Sequence, residues 1–372
     1  MRILFAGGGT GGHIYPAIAI ADALRERDGA DTRIAFVGTA DRLEARLVPQ
    51  AGYPLHRITA RPLRRDRLVA LLGTALANGW GVMQALAVLL RERPDAIVAT
   101  GGYVCFPLVV AARGLRALRL SRTKIALLEP NARPGLTNRL LAPFVDEIWG
   151  ALPHGDPRFG DRYVRTGVPI RGSLRALPPR AAAMARLGLD PQRRTLLAMG
   201  GSQGARSLND ALVGAIAAGG LPAGWQVLHL TGEREYERVR ARLPGAQGGG
   251  IRPYLDDPAD AFAAADLVLA RAGASTLAEL VALALPAILV PYPHAAEDHQ
   301  SENARALEAA GAAVAISDER LDAGSLGALL STLCEPAALA RLRAAIATFR
   351  TPDPTATILA RIAALVGRNT PT

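Results

Sequence analysis

The stretch "MRILFAGGGTGGHIYPAIAIADAL", residues 1–24, decides the fold class. A five-residue apolar run (2–6) leads into five glycines, Gly7–Gly9, Gly11 and Gly12, interrupted by Thr10. Apolar residues at helical spacing follow from Tyr15 to Arg27. Buried strand, glycine turn and helix in that order open a doubly wound α/β unit. Half a chain later "TLLAMGGSQGARSLNDALVGAIAA" (195–218) repeats the sequence of strand, glycine turn and helix. The duplication predicts two Rossmann-like domains facing a cleft.

The rest of the chain fits that alternation. Predicted strands are "RIAFVG" (33–38), "AIVAT" (96–100), "KIALLE" (124–129) and "EIWG" (147–150) in the first half. "WQVLHLTG" (225–232), "LVLARAG" (267–273) and "AILVPYP" (287–293) follow in the second. Strands separated by helical stretches give parallel sheets covered on both faces. The boundaries read as an N-terminal domain over 1–170, a Pro- and Arg-rich linker over 171–194 and a C-terminal domain over 195–350. The amphipathic segment 351–372 is expected to pack back on the first domain. Residues 243–253 read as a surface loop.

Composition narrows the chemistry. The net charge is +10, carried almost wholly by arginine, and Lys124 is the only lysine, so any lysine chemistry falls on it. The positive balance suits an anionic partner, but no groove-reading motif accompanies it, so nucleic acid is not expected. Two cysteines, Cys105 and Cys334, make no disulfide framework. Six histidines without Cys/His clustering make no zinc signature. The apolar run before the glycines, about five residues, is too short for a signal peptide. Residues 68–90 carry no charge and lie between arginines at 64, 65, 67 and 91, 93. Their length suits a bilayer, but Thr74, Asn78, Gln84 and the strand that follows favour a buried or membrane-surface helix.

Three segments carry the candidate chemistry. In the first turn, backbone N–H groups at a helix N-terminus can hold an anion. The loop lacks both the acidic ribose partner of a dinucleotide site and the Gly-Lys-Ser/Thr of a Walker loop. His13 ends it, where a helix N-terminus disfavours the charged imidazole and keeps it ready to accept a proton. The second turn, "GGSQGARSLN" (200–209), offers Ser202 as a phosphate-contacting hydroxyl. The third, "RAGASTLAELVALALPAILVPYPHAAEDHQSENARAL" (271–307), starts a helix at Ala274, Ser275 and Thr276 with N–H groups suited to a diphosphate. Glu279, about one turn in, suits a ribose diol. His294, Glu297, Asp298, His299, Gln300 and Asn303 crowd after the next strand, a density suited to sugar hydroxyls. No D-x-D carboxylate pair and no metal-ligand spacing is present, so neither a metal nor another cofactor is expected.

"GGGTGGHIYPAIAIADAL", "PGLTNRLLA", "TGVPIR", "GGSQGARSLN" and "AGASTLAEL…LPAILVPYPHAAEDHQSENA" together resemble the MurG family of peptidoglycan N-acetylglucosaminyltransferases. The resemblance runs from residue 2 to about 315, in order and spacing. It implies a GT-B-type architecture and inverting transfer of GlcNAc from UDP-GlcNAc to the MurNAc 4-hydroxyl of lipid I, undecaprenyl-pyrophosphoryl-MurNAc-pentapeptide, giving lipid II. It assigns Thr10, Gly11 and Gly12 to the sugar-nucleotide and acceptor-diphosphate site, with His13 the candidate base. Asn131 falls at a GlcNAc-contacting position, Arg171 at a nucleotide-contacting one and Leu255 where backbone reads uracil. Ala274, Ser275, Thr276, Leu277, Ala278 and Glu279 cover diphosphate and ribose, and Gln300 the sugar hydroxyls; Glu279 is also carried as a catalytic candidate. Where the family has His-Glu-Gln-Asn this chain has "LEPN" (128–131), so Leu128 and Pro130 replace two polar groups.

The lipid-linked acceptor implies a peripheral location on the cytoplasmic face of the cell membrane, and contacts with other cell-wall synthesis proteins. Residues 61–80 fit that location: Arg61, Arg64, Arg65 and Arg67 beside Leu68, Leu72, Leu76 and Trp80, with arginines again at 113, 116, 119 and 122. The rival readings are another UDP-sugar-dependent glycolipid or natural-product transferase, a UDP-GlcNAc epimerase, and a non-catalytic sugar-nucleotide-binding subunit of a membrane complex.

Overall fold

The structure, a computed structural model, describes residues 1–62, 68–153, 155–201, 203–243 and 250–367, without the side chains of 68–71 and Ala296. It divides into two compact units, Met1–Arg171 with Thr351–Thr372, and Gly172–Arg350. Each is built on its own parallel sheet.

The first unit contains β1 (Arg2–Ala6), β2 (Arg33–Gly38), β3 (Leu55–Arg57), β4 (Ala96–Ala99), β5 (Lys124–Glu129), β6 (Glu147–Gly150) and β7 (Tyr163–Arg165). Their order across the sheet is 3-2-1-4-5-6-7. β1 and β4 are buried almost throughout, as strands must be when helices cover both faces. The helices are α1 (Gly11–Asp28), α2 (Glu44–Gln50), α3 (Leu68–Glu92), α4 (Cys105–Ala117) and α5 (Leu136–Leu141). α1 starts four residues before the expected Tyr15. Glycine lowers helix propensity, but Gly11 and Gly12 occupy a first turn capped by the extended residue Thr10.

α3 answers the question of the uncharged segment. The stretch Leu72–Glu92 is long and apolar enough to cross a membrane by length and composition. Polar side chains nevertheless tie the helix to the first unit. Gln84 Oε1 accepts from the Thr59 N–H at 2.6 Å, and Asn78 exchanges two hydrogen bonds with the Arg61 backbone at 3.0 and 3.1 Å. At Gly81 the approach is so close that a Cβ would lie 2.0 Å from the Thr59 carbonyl oxygen. The opposite face leaves Leu72, Leu76, Trp80, Met83 and Leu90 exposed. Arg64, Arg65, Arg67 and the side chain of Leu68, expected beside this stripe, lie outside the described residues.

The second unit contains β8 (Arg194–Met199), β9 (Trp225–Leu230), β10 (Ile251–Arg252), β11 (Leu267–Ala270), β12 (Ala287–Leu289) and β13 (Val314–Ala315), in the order 10-9-8-11-12-13. Its helices are α6 (Gly172–Arg175), α7 (Arg180–Leu187), α8 (Arg206–Ala217), α9 (Tyr236–Arg242), α10 (Ala259–Ala264), α11 (Ala274–Leu283), α12 (His299–Glu308), α13 (Ala323–Leu333) and α14 (Pro336–Ala347). The expected linker 171–194 therefore contains two helices, which cover half of it. Ala183, Met184 and Leu187 of α7 are buried, and Arg180 bonds the Ala264 carbonyl and Asp266 at 2.7 Å each. The loop expected over 243–253 lies partly outside the described residues; Ile251–Arg252 within it is the strand β10.

The chain then returns to the first unit as α15 (Pro354–Leu365), packed beside α1. Ile358, Leu359 and Ile362 join Ile3, Phe5, Ile20, Leu24 and Trp149 in one core. Arg361 donates to Glu147, whose Oε2 also accepts from the Trp149 indole N–H at 2.8 Å.

Candidate functional site

In a doubly wound sheet the strand order reverses at one point, and ligands bind beyond the carboxyl ends of the strands there. In the first unit that point lies between β1 and β4, so it is formed by the loops 7–12 and 100–103. The two loops touch. Gly8 donates its N–H to the Gly101 carbonyl at 3.3 Å. A Cβ on Gly102 would lie 2.4 Å from the Gly8 carbonyl oxygen. Gly101 and Gly102 have φ of 109° and 86°, a region that favours glycine.

His13 sits between these loops. Its Nδ1 lies 2.9 Å from the Gly8 carbonyl oxygen and 3.3 Å from Thr10 Oγ1. A carbonyl only accepts, so the neutral ring carries its proton on Nδ1 and its lone pair on Nε2. The ring lies over Gly101, where a Cβ would come within 2.7 Å of Cδ2 and 2.9 Å of Nε2. Thr100 Oγ1 donates to the His13 carbonyl at 2.7 Å, tying the first turn of α1 to the end of β4. The Gly11 and Gly12 amides open α1, where N–H groups have no carbonyl one turn back.

Glu44 lies beneath this loop, fully buried. Its Oε2 accepts from the Gly9 N–H at 3.0 Å; its Oε1 accepts from the Thr39 N–H and hydroxyl at 3.1 and 2.7 Å. One carboxylate at the start of α2 thus joins the glycine loop to the end of β2. Cys105, buried next to it at the start of α4, has its thiol pushed up to about 12 by burial and is held as an inert neutral group.

Glu129 at the end of β5 organises the "LEPN" loop. Its carboxylate accepts from the Asn131 N–H and amide at 3.0 Å each, the Gly135 N–H at 3.1 Å and the Asn138 amide at 2.7 Å. Burial raises its pKa and these four donors oppose the rise. Asn131 Nδ2 is thereby oriented toward Glu129. At the end of the unit, the Arg171 guanidinium stacks 4.5 Å over the Tyr15 ring of α1.

The second unit repeats the arrangement between β8 and β11, with loops 200–205 and 271–274. Ser202 lies outside the described residues. Gly204 (φ 77°) would carry a Cβ 2.2 Å from the Thr231 carbonyl oxygen. That carbonyl accepts from Asn209 Nδ2 at 3.0 Å, and Asn209 Oδ1 lies 2.8 Å from Nε2 of the buried His229. Burial lowers the His229 pKa to about 4.

Ala274, Ser275 and Thr276 form the first turn of α11 behind the extended N-cap Gly273; Leu277, Ala278 and the buried Glu279 follow. Gln300 reaches over this end from α12: its Nε2 lies 3.9 Å from where a Gly273 Cβ would stand, and its Oε1 accepts from the Tyr292 N–H at 2.9 Å. Asn303 donates to the Ala272 carbonyl at 3.1 Å. Leu255, half-buried, sits in the loop after β10. Arg271, which sequence reasoning passed over, joins these loops. Its guanidinium donates to the Val290 and Pro291 carbonyls, Ser207 Oγ and Asp318.

Two parallel-sheet units with glycine loops at their switch points are the architecture of GT-B glycosyltransferases, and the sequence matches that class. Residues 3–149 match the glycosyltransferase family 28 N-terminal domain and residues 195–353 the family 28 C-terminal domain. A protein of Desulforudis audaxviator is 41% identical over 380 residues, covering 100% of both chains, and one of Chlorobaculum parvum is 41% identical over 372 residues, covering 98% of this chain and 99% of its own. Both are named UDP-N-acetylglucosamine--N-acetylmuramyl-(pentapeptide) pyrophosphoryl-undecaprenol N-acetylglucosamine transferase. The crystal structure of Acinetobacter baumannii MurG superposes with a TM-score of 0.79 at 25% identity, covering 98% of this chain and 99% of its own. The chain belongs to the MurG family.

Proposed function

We propose that this protein transfers GlcNAc from UDP-GlcNAc to the MurNAc 4-hydroxyl of lipid I, with inversion, to give lipid II. The observation that carries the reading is full-length identity of 41% to transferases named for that activity.

His13 supplies the base in this reading. The acceptor hydroxyl gives its proton to Nε2 as its oxygen bonds to the anomeric carbon; the bond from that carbon to the diphosphate breaks, and UDP leaves with the electron pair. What supports the assignment is the Nδ1 contact to the Gly8 carbonyl, which fixes the tautomer in which Nε2 accepts. N–H groups opening α1 and α11 are suited to hold the diphosphates, with Thr10, Gly11 and Gly12 on the first unit and Ala274–Ala278 on the second. Glu279 is assigned to the ribose, Gln300 and Asn131 to the sugar, Leu255 to uracil, and Arg171 and Ser202 to the nucleotide.

The protein works, we infer, as a peripheral protein on the cytoplasmic face of the membrane, docked through the exposed stripe of α3. Leu76 is 77% and Trp80 62% exposed, large apolar side chains that favour a lipid interface.

The test incubates labelled UDP-GlcNAc and a lipid I analogue with the purified protein and with His13→Ala and His13→Gln. Label entering a lipid product establishes the transferase. A loss of roughly 10²–10⁴-fold in kcat in both variants, with KM for UDP-GlcNAc little changed, supports the base; undiminished kcat refutes it.

A further inference from the structure

A cavity of about 890 Å³ opens at the amino-terminal end of the first sheet's strands, where β1, β4 and β5 begin. Its floor is set by Arg2, Asp95 and Lys124, and its walls come from the carboxyl ends of α3, α4 and α15. Its size falls in the range of ligand sites. The lining mixes basic and apolar side chains: Arg93, Arg122 and Lys124, the last 3.9 Å from Asp146, together with Leu90, Leu120 and Val366. The one acid there, Asp95, accepts the Arg2 N–H at 2.8 Å and faces the Arg2 guanidinium at 3.9 Å. Among the described residues Arg93 and Arg122 pair with no carboxylate. Arg93 holds a left-handed backbone (φ 45°) just past the last turn of α3, a conformation that favours glycine.

We propose that this cavity binds the headgroup of an anionic phospholipid, with arginine on the phosphate and Leu90, Leu120 and Val366 against the first acyl carbons. Charge complementarity selects an anion, and the apolar residues in the same lining favour an amphiphile over a free anion. The cavity is also continuous with the stripe of α3. That helix runs opposite to the strands, Glu92 meeting His56 at 3.1 Å, Gln84 meeting Thr59 at 2.6 Å and Asn78 meeting Arg61 at 3.0 Å. Its exposed residues therefore run along the unit to Leu90 at the cavity mouth. The bound lipid is not the acceptor. β1 spans five residues, roughly 16 Å at the usual rise, between the cavity at Arg2 and the loop of His13. An acceptor diphosphate only one sugar ring from the reacting hydroxyl does not bridge that distance. The inference rests on the membrane-docking reading of α3 and adds a discrete site to it.

The experiment titrates soluble dihexanoyl-phosphatidylglycerol into the full-length protein by calorimetry, below its micelle concentration, against dihexanoyl-phosphatidylcholine and inorganic phosphate. Saturable one-to-one binding of the anionic lipid is expected, with both comparators much weaker. Arg93→Gln/Arg122→Gln should weaken it by roughly tenfold or more, the order two basic groups contribute at a lipid surface. The charge-matched Arg341→Gln/Arg343→Gln, two exposed positions on α14 of the second unit, should retain it, and melting curves check that both variants fold. Equal binding of phosphate, equal loss in the two double variants, or no saturation overturns the site. Pelleting with phosphatidylglycerol vesicles separates the two readings. If Trp80→Glu abolishes pelleting and Arg93→Gln/Arg122→Gln leaves it intact, docking stands and the cavity falls. If the unaltered protein does not pellet, docking falls and the soluble-lipid titration decides the cavity.

Discussion

Replacing Glu44 by glutamine tests whether one buried carboxylate holds the first glycine loop. Its two oxygens accept from three donors, the Gly9 N–H, the Thr39 N–H and the Thr39 hydroxyl. Glutamine keeps one oxygen, which can stay with Thr39. Its NH₂ group then faces the Gly9 N–H, donor against donor. The variant loses a charge-assisted bond and leaves a part-buried donor unmatched, a cost of about 2–3 kcal/mol. For a unit of this size that lowers the melting temperature by roughly 4–12 °C. Glu44→Ala strands all three donors and should cost more, about 3–5 kcal/mol. Because the lost bond lies within the loop that carries Thr10 and His13, transfer should fall beyond what reduced stability explains. The assays are calorimetric melting and initial rates with UDP-GlcNAc and a lipid I analogue, well below the melting range. A Glu44→Gln protein with unchanged melting and unchanged kcat/KM would refute the reasoning, because the carboxylate would then not be holding the loop.

Gly81→Ala forces a Cβ toward the Thr59 carbonyl, 2.0 Å away, and should destabilise by about 2 kcal/mol or more; Gly79→Ala, whose Cβ meets nothing within 4 Å, should stabilise by about 0.5–1 kcal/mol. Chemical denaturation of the two variants side by side checks both signs. Gly204→Ala combines a left-handed backbone with a Cβ 2.2 Å from the Thr231 carbonyl, so it should cost about 2 kcal/mol and raise the KM for UDP-GlcNAc, read from melting and initial rates. His229 has a folded pKa of about 4, below its ordinary 6.5, so the unfolded chain binds the extra proton. Its contribution is intact above pH 6.5 and is lost as pH falls toward 4, about 3 kcal/mol in all. Denaturation of the protein and of His229→Gln across that window should differ in slope by close to one proton; parallel slopes would sink the assignment.

The short apolar strands were legible because parallel strands buried on both faces carry an uninterrupted apolar signal, as in "RILFA" and "AIVA". The glycine turns after β1 and β8 were legible for the same reason, each following such a strand directly. The turn after β4 was not singled out: Thr100, Gly101 and Gly102 carry no titratable group, and their importance comes from lying against Gly8 and His13 in space. Glu44 reads in sequence as an ordinary acid opening a surface helix; nothing in its neighbours announces that it is fully buried. Arg271 likewise gains its role from partners in three separate stretches of the chain, Ser207, Val290 with Pro291, and Asp318. The stretch 171–194 reads as a linker because its prolines and arginines mask two short helices, one of only four residues.

The path of α15 has a consequence for synthesis. The core face of the first sheet is completed by Ile358, Leu359 and Ile362. A ribosome must therefore make the whole second unit, Gly172–Arg350, before the first can close over that face. Domains generally fold as their residues emerge, and here the second can be complete while the first still waits with an open apolar surface. Loss of residues 354–365 would leave the glycine loops of both units intact in sequence and damage the unit made first.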